Sequence, residues 1–339
     1  MRNSSTAAQW TAMIEADDKV LVVGAGISGL LCATVLERAG YDVRVVDKGR
    51  GFGGRMATRR MDGARLDHGA QFFTVRTPEF QAWVDEWLEA GVIREWFRRA
   101  PWDSDPDGHP RYRGINGMTD LPKALAAGLA VERSVRIHSA AWTPAGWTCR
   151  DEEGGEREAD VLVLSTPVPQ AVAILGDAGV RLPGDDWSRI RAIDYEPALT
   201  GLFVLDGESG LPAPGGLKPG KGPLVWLGDN QRKGISPDRP AVTVHASPGF
   251  SREYWDSPDE ERLPRLLEAA SEFLEAEVVG AAVHRWGYNV PVGPWTDGPG
   301  FYWSEEFKLG LAGDGFGGPR VEGAALSGMR LGRHLAGER

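Results

Sequence analysis

The stretch "VVGAGISGLLCATVLERAGYDVRVVDKGRGFGGRMATRR", residues 22–60, decides how the chain is read. Residues 20–23 form a short apolar run, Gly24-Ala25-Gly26-Ile27-Ser28-Gly29 follows at once, and 30–39 has helical composition ending at Gly40. The pattern predicts strand, turn and helix. Gly24 permits the tight turn, Gly26 lets the backbone approach a pyrophosphate, and Gly29 lets the helix pack closely on the strand. The free amides at the helix start then face the phosphate charge. A second strand over 42–46 ends at Asp47, 23 residues after Gly24, where a carboxylate can accept from ribose hydroxyls. This order predicts a bound dinucleotide and leaves NAD and FAD undivided.

The tail of the stretch separates them. Gly53-Gly54-Arg55 resembles the second fingerprint of the glutathione-reductase-like flavoproteins, most closely the amine oxidase and renalase branch. The resemblance implies FAD, with Arg55 at its pyrophosphate, a role that suits a planar guanidinium better than an ammonium. Many amine oxidases carry another arginine two residues after the acid. Here Gly49 stands there and Arg50, one step on, is the substitute; Lys48 and Met56 join the expected cofactor contacts.

Asp67-His68-Gly69-Ala70-Gln71-Phe72-Phe73 resembles the family's D-x-G-A segment. That segment runs past the flavin ring, where small residues let backbone approach and His68 acts through its main chain. A strand end with a glycine bulge is the plainer reading. Near the C-terminus, 309–312 predicts a strand, Gly313-Asp314-Gly315 ends it, and Val321-Glu322-Gly323-Ala324 opens a helix running to about 335. By the same resemblance Asp314 holds the ribitol, and the helix start lies under the pyrimidine edge, stabilising the charge of reduced flavin. Residues 131–150 read as a hairpin, 160–165 as a buried strand, and Val135 offers its backbone to adenine.

A chain of 339 residues is large for one core, so two interleaved domains are expected. The first is an α/β, glutathione-reductase-like Rossmann FAD-binding domain with an inserted β-hairpin, built from 19–76, 130–182 and 280–339. The second is an α+β substrate domain, 77–129 and 183–279, whose mixed β-sheet roofs the flavin. Residues 1–18 are read as a flexible arm. In the inserted regions Phe80, Trp83, Val84, Trp87 and Leu88 mark a helix whose aromatic stripe is core. Strands are expected at 111–114, 199–205, 224–227 and 241–246, with a helix over 259–274.

The formal charge, 38 − 48 = −10, argues against nucleic acid and against an anionic membrane surface. The apolar run over 20–36 is too short and too rich in glycine to span a bilayer. Cys32 and Cys149, far apart, suggest neither a disulfide framework nor a metal site, and fit a reducing cytoplasm. Neither lies in a family attachment position, so FAD is expected to be noncovalent.

"LVWLGDNQRKG" from Leu224, "VTVHASPGFSREYW" from Val242 and "HRWGYNVP" from His284 resemble segments of bacterial renalase-like proteins. This implies oxidation of isomeric dihydronicotinamides, misformed NAD(P)H, to NAD(P)+ with oxygen as acceptor and hydrogen peroxide as by-product. Phe72, Trp226, Trp286 and Tyr288 are the aromatic candidates to stack on such a ring. His245 is a substrate-contact candidate rather than a base, because hydride loss from a dihydropyridine needs no proton removal. His284 either orients a phosphate or fills an interface.

The family's N-x-S-K-P-G runs here as Asn230-Gln231-Arg232-Lys233-Gly234-Ile235, without the proline, so specificity differs if that loop shapes the entrance. Two alternatives stay open. One is an amine oxidase or desaturase, although none of the seven lysines falls in a motif assignable to the flavin. The other is a GDI-like binding protein without flavin, against which Arg55, Asp314 and the helix start at Glu322 stand together.

Overall fold

The computed structural model describes residues 13–99, 108–176 and 178–338. Its six-stranded sheet runs Tyr302–Ser304, Leu309–Leu311, Val161–Leu164, Lys19–Val23, Asp42–Asp47, Ala130–Arg133. Every neighbouring pair is parallel except the first. Parallel strands are covered on both faces, which is why LVV and VLVL contain no polar residue. Leu21, Val23, Leu162 and Leu164 pack with Trp147 and Cys149 of a three-stranded meander, Ile137–Thr143, Gly146–Asp151 and Glu156–Ala159. Val20, Val22, Val161 and Val163 face the opposite way, onto the helices Ile27–Arg38 and Val321–Ala336.

Those two helices approach so closely that side chains are excluded at the contact. A Cβ on Gly328 would lie 1.9 Å from the Ser28 carbonyl oxygen, and one on Gly332 2.9 Å from that of Cys32. The C-terminal helix is thereby locked against the first helix of the dinucleotide motif.

The second sheet is antiparallel, in the order Gly216–Leu217, Leu224–Asp229, Ala241–Ala246, Asp194–Leu205, Val278–Val292. Leu199, Phe203, Leu227 and Val244 on one face receive Leu266 and Ala270 of the helix Asp259–Ser271. Leu202, Val204 and Ala241 turn the other way and pack on Ala64 and Leu66 of the ribbon Thr58–Met61/Ala64–Asp67. The sheet therefore sits over the chain just before His68. Pro78–Glu89 forms the expected helix, with Phe80, Trp83, Val84 and Trp87 buried.

Four expectations are corrected. The boundary at 279/280 falls inside the 15-residue strand Val278–Val292, which pairs along Asp194–Leu205. Its VVGAAVHRWGYNVPV lacks alternation, and the partner strand supplies the register. Residues 131–133 are no part of a hairpin, because Ala130–Arg133 extends the parallel sheet beside Asp42–Asp47. The helix expected over 259–274 stops at Ser271. Of the arm over 1–18, residues 13–18 are packed: Ile14 is buried, Met13 N–H donates to Leu335 O at 3.1 Å, and Lys308 pairs with Asp18 at 2.8 Å. Residues 1–12 lie outside the described residues. No helix among the described residues is long and apolar enough to cross a membrane.

Gly328→Val places a branched side chain against main chain that cannot give way. It should destabilise the fold by about 1–3 kcal/mol or more, read as a lowered midpoint in urea denaturation.

Candidate active site

The glycine turn leaves the first strand where its two neighbours diverge, the crevice at which open α/β sheets bind ligands. Gly24 takes a φ of +116° and donates to Val46 O at 2.8 Å. A Cβ on Gly29 would fall 2.1 Å from Gly24 O, so its absence is needed for the turn to close. Gly26 differs: a Cβ there meets nothing within 4 Å, and the space over the turn is open. Ala25 donates to Asp47 Oδ2 at 2.7 Å and Gly49 to Oδ1 at 2.6 Å, so Asp47 ties the turn to the following loop. Each carboxylate oxygen keeps a second lone pair for a hydroxyl.

Beyond Asp47 lies a cavity of about 380 Å³ lined by Lys48, Arg50, Val135 and Arg136 among others. Lys48, Arg50 and Val135 are residues expected to touch the cofactor, and Asp151, Glu152, Glu153 and Arg157 line the same cavity. Val135 N–H already donates to Asp47 O at 2.9 Å, so that amide serves the strand end. The open space over Gly26 is compatible with the close approach of a pyrophosphate.

Arg55 and Asp314 face each other. Nη1 lies 2.5 Å from Oδ2 and Nη2 2.8 Å from Oδ1, a two-pronged pair in which Asp314 is buried. Arg55 also donates to Asn289 O at 3.0 Å, and the Tyr195 hydroxyl to Asp314 Oδ1 at 3.0 Å. Burial, with Asp314's charge adding to it, pushes the Tyr195 hydroxyl well above its ordinary range. Sequence reasoning did not find Tyr195, which lies on the second sheet and carries no motif. Gly313 N–H donates to Ser327 Oγ at 2.8 Å.

The Glu322 side chain serves the fold. Its carboxylate accepts from Arg76 N–H and from Thr77 N–H and Oγ, and so holds the entry to the helix Pro78–Glu89. Ala324 N–H is already used by Arg320 O at 3.2 Å.

The segment 67–72 is held from three sides. Asp67 Oδ1 accepts from the Thr58 hydroxyl at 2.6 Å and from Met118 N–H at 2.9 Å, and Oδ2 lies 2.5 Å from Lys233 Nζ. Both charged side chains are wholly buried. Burial pushes the Lys233 ammonium down and Asp67 opposes it. Lys233 is the K of the N-x-S-K-P-G match, and its partner Asp67 became legible only in the structure. A Cβ on Gly69 would lie 2.0 Å from Arg55 O, and Ala70 donates to that oxygen at 2.8 Å. The Arg55 main chain thus accounts for the small residue at 69 without a flavin ring.

An aromatic cluster stands at each end of 68–72. The His68 ring stacks on Trp286, centroids 5.2 Å apart and 24° between planes, and meets His284 edge-on at 4.6 Å. His68 O accepts from Trp286 Nε1 at 2.8 Å. His284, Trp286 and Tyr288, at alternate positions of one strand, share a face, but Tyr288 packs on Tyr195 near Arg55. Phe72 contacts Trp226, Phe97 and Trp96 at 5.6, 6.0 and 6.3 Å. Gln71 Nε2 lies 3.2 Å from His245 Nε2. Burial pushes His68 down to about 3, helped by the charges of His284 and Arg59. It pushes His245 down to about 4, helped by Lys233, and lowers His284.

Residues 99–334, well over half of the chain, match the family described as flavin containing amine oxidoreductase. The chain belongs to that family. Residues 22–87 match an NAD(P)-binding Rossmann-like domain, which includes the glycine turn. A renalase from Mus musculus is 23% identical over 92% of this chain and 98% of its own. The structure of a putative protoporphyrinogen oxidase from Exiguobacterium sp. 255-15 superposes with a TM-score of 0.71 at 14% identity, covering 94% and 98% of the two chains. A wild-type putrescine oxidase bound to putrescine gives 0.69 at 16% identity, covering 94% and 98%. At those identities the two structures show the shared fold. As a member of this family the protein is a flavin-dependent oxidoreductase, renalase-like in its resemblance, with FAD as a noncovalent cofactor.

Gly26→Val fills the open space over the turn while meeting no protein atom. It should leave the denaturation midpoint within about 0.5 kcal/mol and strip the purified protein of its yellow flavin absorbance. Lys233→Met leaves the Asp67 charge buried and unpaired. A loss of about 3–5 kcal/mol is expected in chemical denaturation, and an unchanged midpoint would remove the pair from the structural account.

Proposed function

We propose that the protein oxidises isomeric dihydronicotinamides, misformed NAD(P)H, to NAD(P)+, with molecular oxygen taking the electrons. Substrate, proton and O2 then yield NAD(P)+ and H2O2. FAD, once bound, would supply the hydride acceptor and the route for the electrons to oxygen. We assign its pyrophosphate to Gly24–Gly29, Gly54 and Arg55, its adenosine side to Asp47, Lys48, Arg50 and Val135, and its ribitol to Asp314. Met56, the 68–72 segment, Gly313 and the helix start at 322–324 complete that assignment.

The carrying observation is the pair of aromatic clusters, His68–Trp286–His284 and Phe72–Trp96–Phe97–Trp226, at the two ends of 68–72. Such walls suit a flat, apolar-faced ring. The imidazoles agree, because His68 and His245, held at about 3 and about 4, stay neutral at neutral pH. Neutral rings place no charge against the pyridinium that forms, and the step asks for no base. Full-length similarity to a renalase supports the same reading. An amine substrate arrives as a cation, and Asp67, the buried carboxylate of this segment, is already held by Lys233, Thr58 and Met118. Both cysteines are free and buried, in keeping with a cytoplasmic location.

The test is the visible spectrum of the purified protein without oxygen. Mixed dihydronicotinamide isomers should bleach the flavin rapidly, whereas β-NADH and putrescine should not. The bleaching rate should stay flat from pH 5.5 to 8, since neither His68 nor His245 changes charge in that window. Bleaching by the amine alone would move the protein to the amine oxidases.

A further inference from the structure

We infer that Gln71 and Trp226 read the carboxamide of the substrate's pyridine ring, an assignment that rests on the dihydronicotinamide reading above. Among the described residues, Gln71 Oε1 and Trp226 Nε1 are buried side-chain atoms without a hydrogen-bond partner, on residues each only 7% exposed. The Gln71 amide is not free to flip. Its Nε2 donates to Asp67 O at 2.5 Å and to Gly69 O at 3.2 Å, so its oxygen points the other way. The indole can only donate. One unmet acceptor and one unmet donor remain.

The two atoms converge. A Cβ on Gly228 would lie 2.7 Å from Gln71 Oε1 and 2.9 Å from Trp226 Nε1, so both atoms border the space that a side chain at 228 would fill. A buried polar group left unmet costs about 1–3 kcal/mol, and a ligand carrying one donor beside one acceptor relieves both at once. A primary carboxamide has that arrangement in one plane: its oxygen accepts from Trp226 Nε1–H and its NH2 donates to Gln71 Oε1. Phe72 is partly buried and packs on Trp226 at 5.6 Å. Both polar atoms are shielded from solvent.

The alternatives fit less well. An aliphatic ammonium brings donors only and leaves Trp226 unmet. A ring carboxylate brings acceptors only and sets a negative charge against Gln71 Oε1. The pair therefore discriminates nicotinamide rings from nicotinic acid rings, a selection stronger than shape alone would provide.

The experiment uses the flavin-loaded full chain and two reduced dinucleotides. One carries the isomeric dihydronicotinamide, the other the matching 3-acetyl ring, which keeps the carbonyl and lacks the N–H donors. The wild type should show a KM at least about tenfold lower for the carboxamide. Gln71→Met should bring the ratio to near one. Trp226→Phe should raise both KM values together and keep the ratio, because both rings retain the carbonyl. Equal KM values in the wild type, or a Trp226→Phe enzyme with unchanged KM, would overturn the inference while the proposed function stands. Failure of the isomeric dihydronicotinamide to bleach the wild-type flavin overturns the proposed function, and this inference with it. If Gln71→Met does not retain flavin, the wild-type ratio and Trp226→Phe decide.

Discussion

Arg55 is the point at which the separate parts of the chain are tied. Its guanidinium grips Asp314, 259 residues away, and donates to Asn289 O of the longest strand. Its carbonyl receives Ala70 N–H and leaves room at 69 only for glycine. Gly53, two residues earlier, donates to Ala25 O in the glycine turn. One residue therefore sets the distance between the dinucleotide turn, the 67–72 segment and the C-terminal junction. A guanidinium does this where an ammonium could not, because its planar fork engages both carboxylate oxygens at once.

The second sheet completes what Arg55 begins. Tyr195 reaches from it to Asp314, Trp286 to His68, His245 to Gln71, and Lys233, just beyond its second strand, to Asp67. Each contact lands on the same short run of chain or on the Arg55 pair. A buried ion pair such as Lys233–Asp67 is weak as a source of stability, since desolvation offsets most of its attraction. Its consequence here is placement: Asp67 has no freedom left, and the residues after it inherit a fixed path. Burial also keeps the neighbouring imidazoles neutral.

Much of the molecule was legible from residues 22–60. Local turn chemistry, an apolar run of a few residues and an acid at a set spacing are short-range properties, and the paired strands Lys19–Val23 and Asp42–Asp47 follow from them. The helix Pro78–Glu89 was legible for the same reason, from periodicity alone. Less was legible where pairing rather than composition makes the element. Val278–Val292 alternates poorly and becomes a strand through its register with Asp194–Leu205, and Ala130–Arg133 joins the parallel sheet through Asp42–Asp47.

The same division runs through the site. The sequence by itself determined the dinucleotide turn, the family resemblance and the identity of Arg55 and Asp314, because those signals lie in contiguous motifs. Only the tertiary structure decided that Arg55 and Asp314 hold one another, that Glu322 holds the chain entering a distant helix and that Gly69 is small because of the Arg55 carbonyl. It alone brought Lys233 to Asp67, and Tyr195 to Asp314. Hydrogen-bond partners 119 to 259 residues apart leave no local trace in a sequence. They are chosen by the packing of two sheets and by the cost of burying a polar group without a partner.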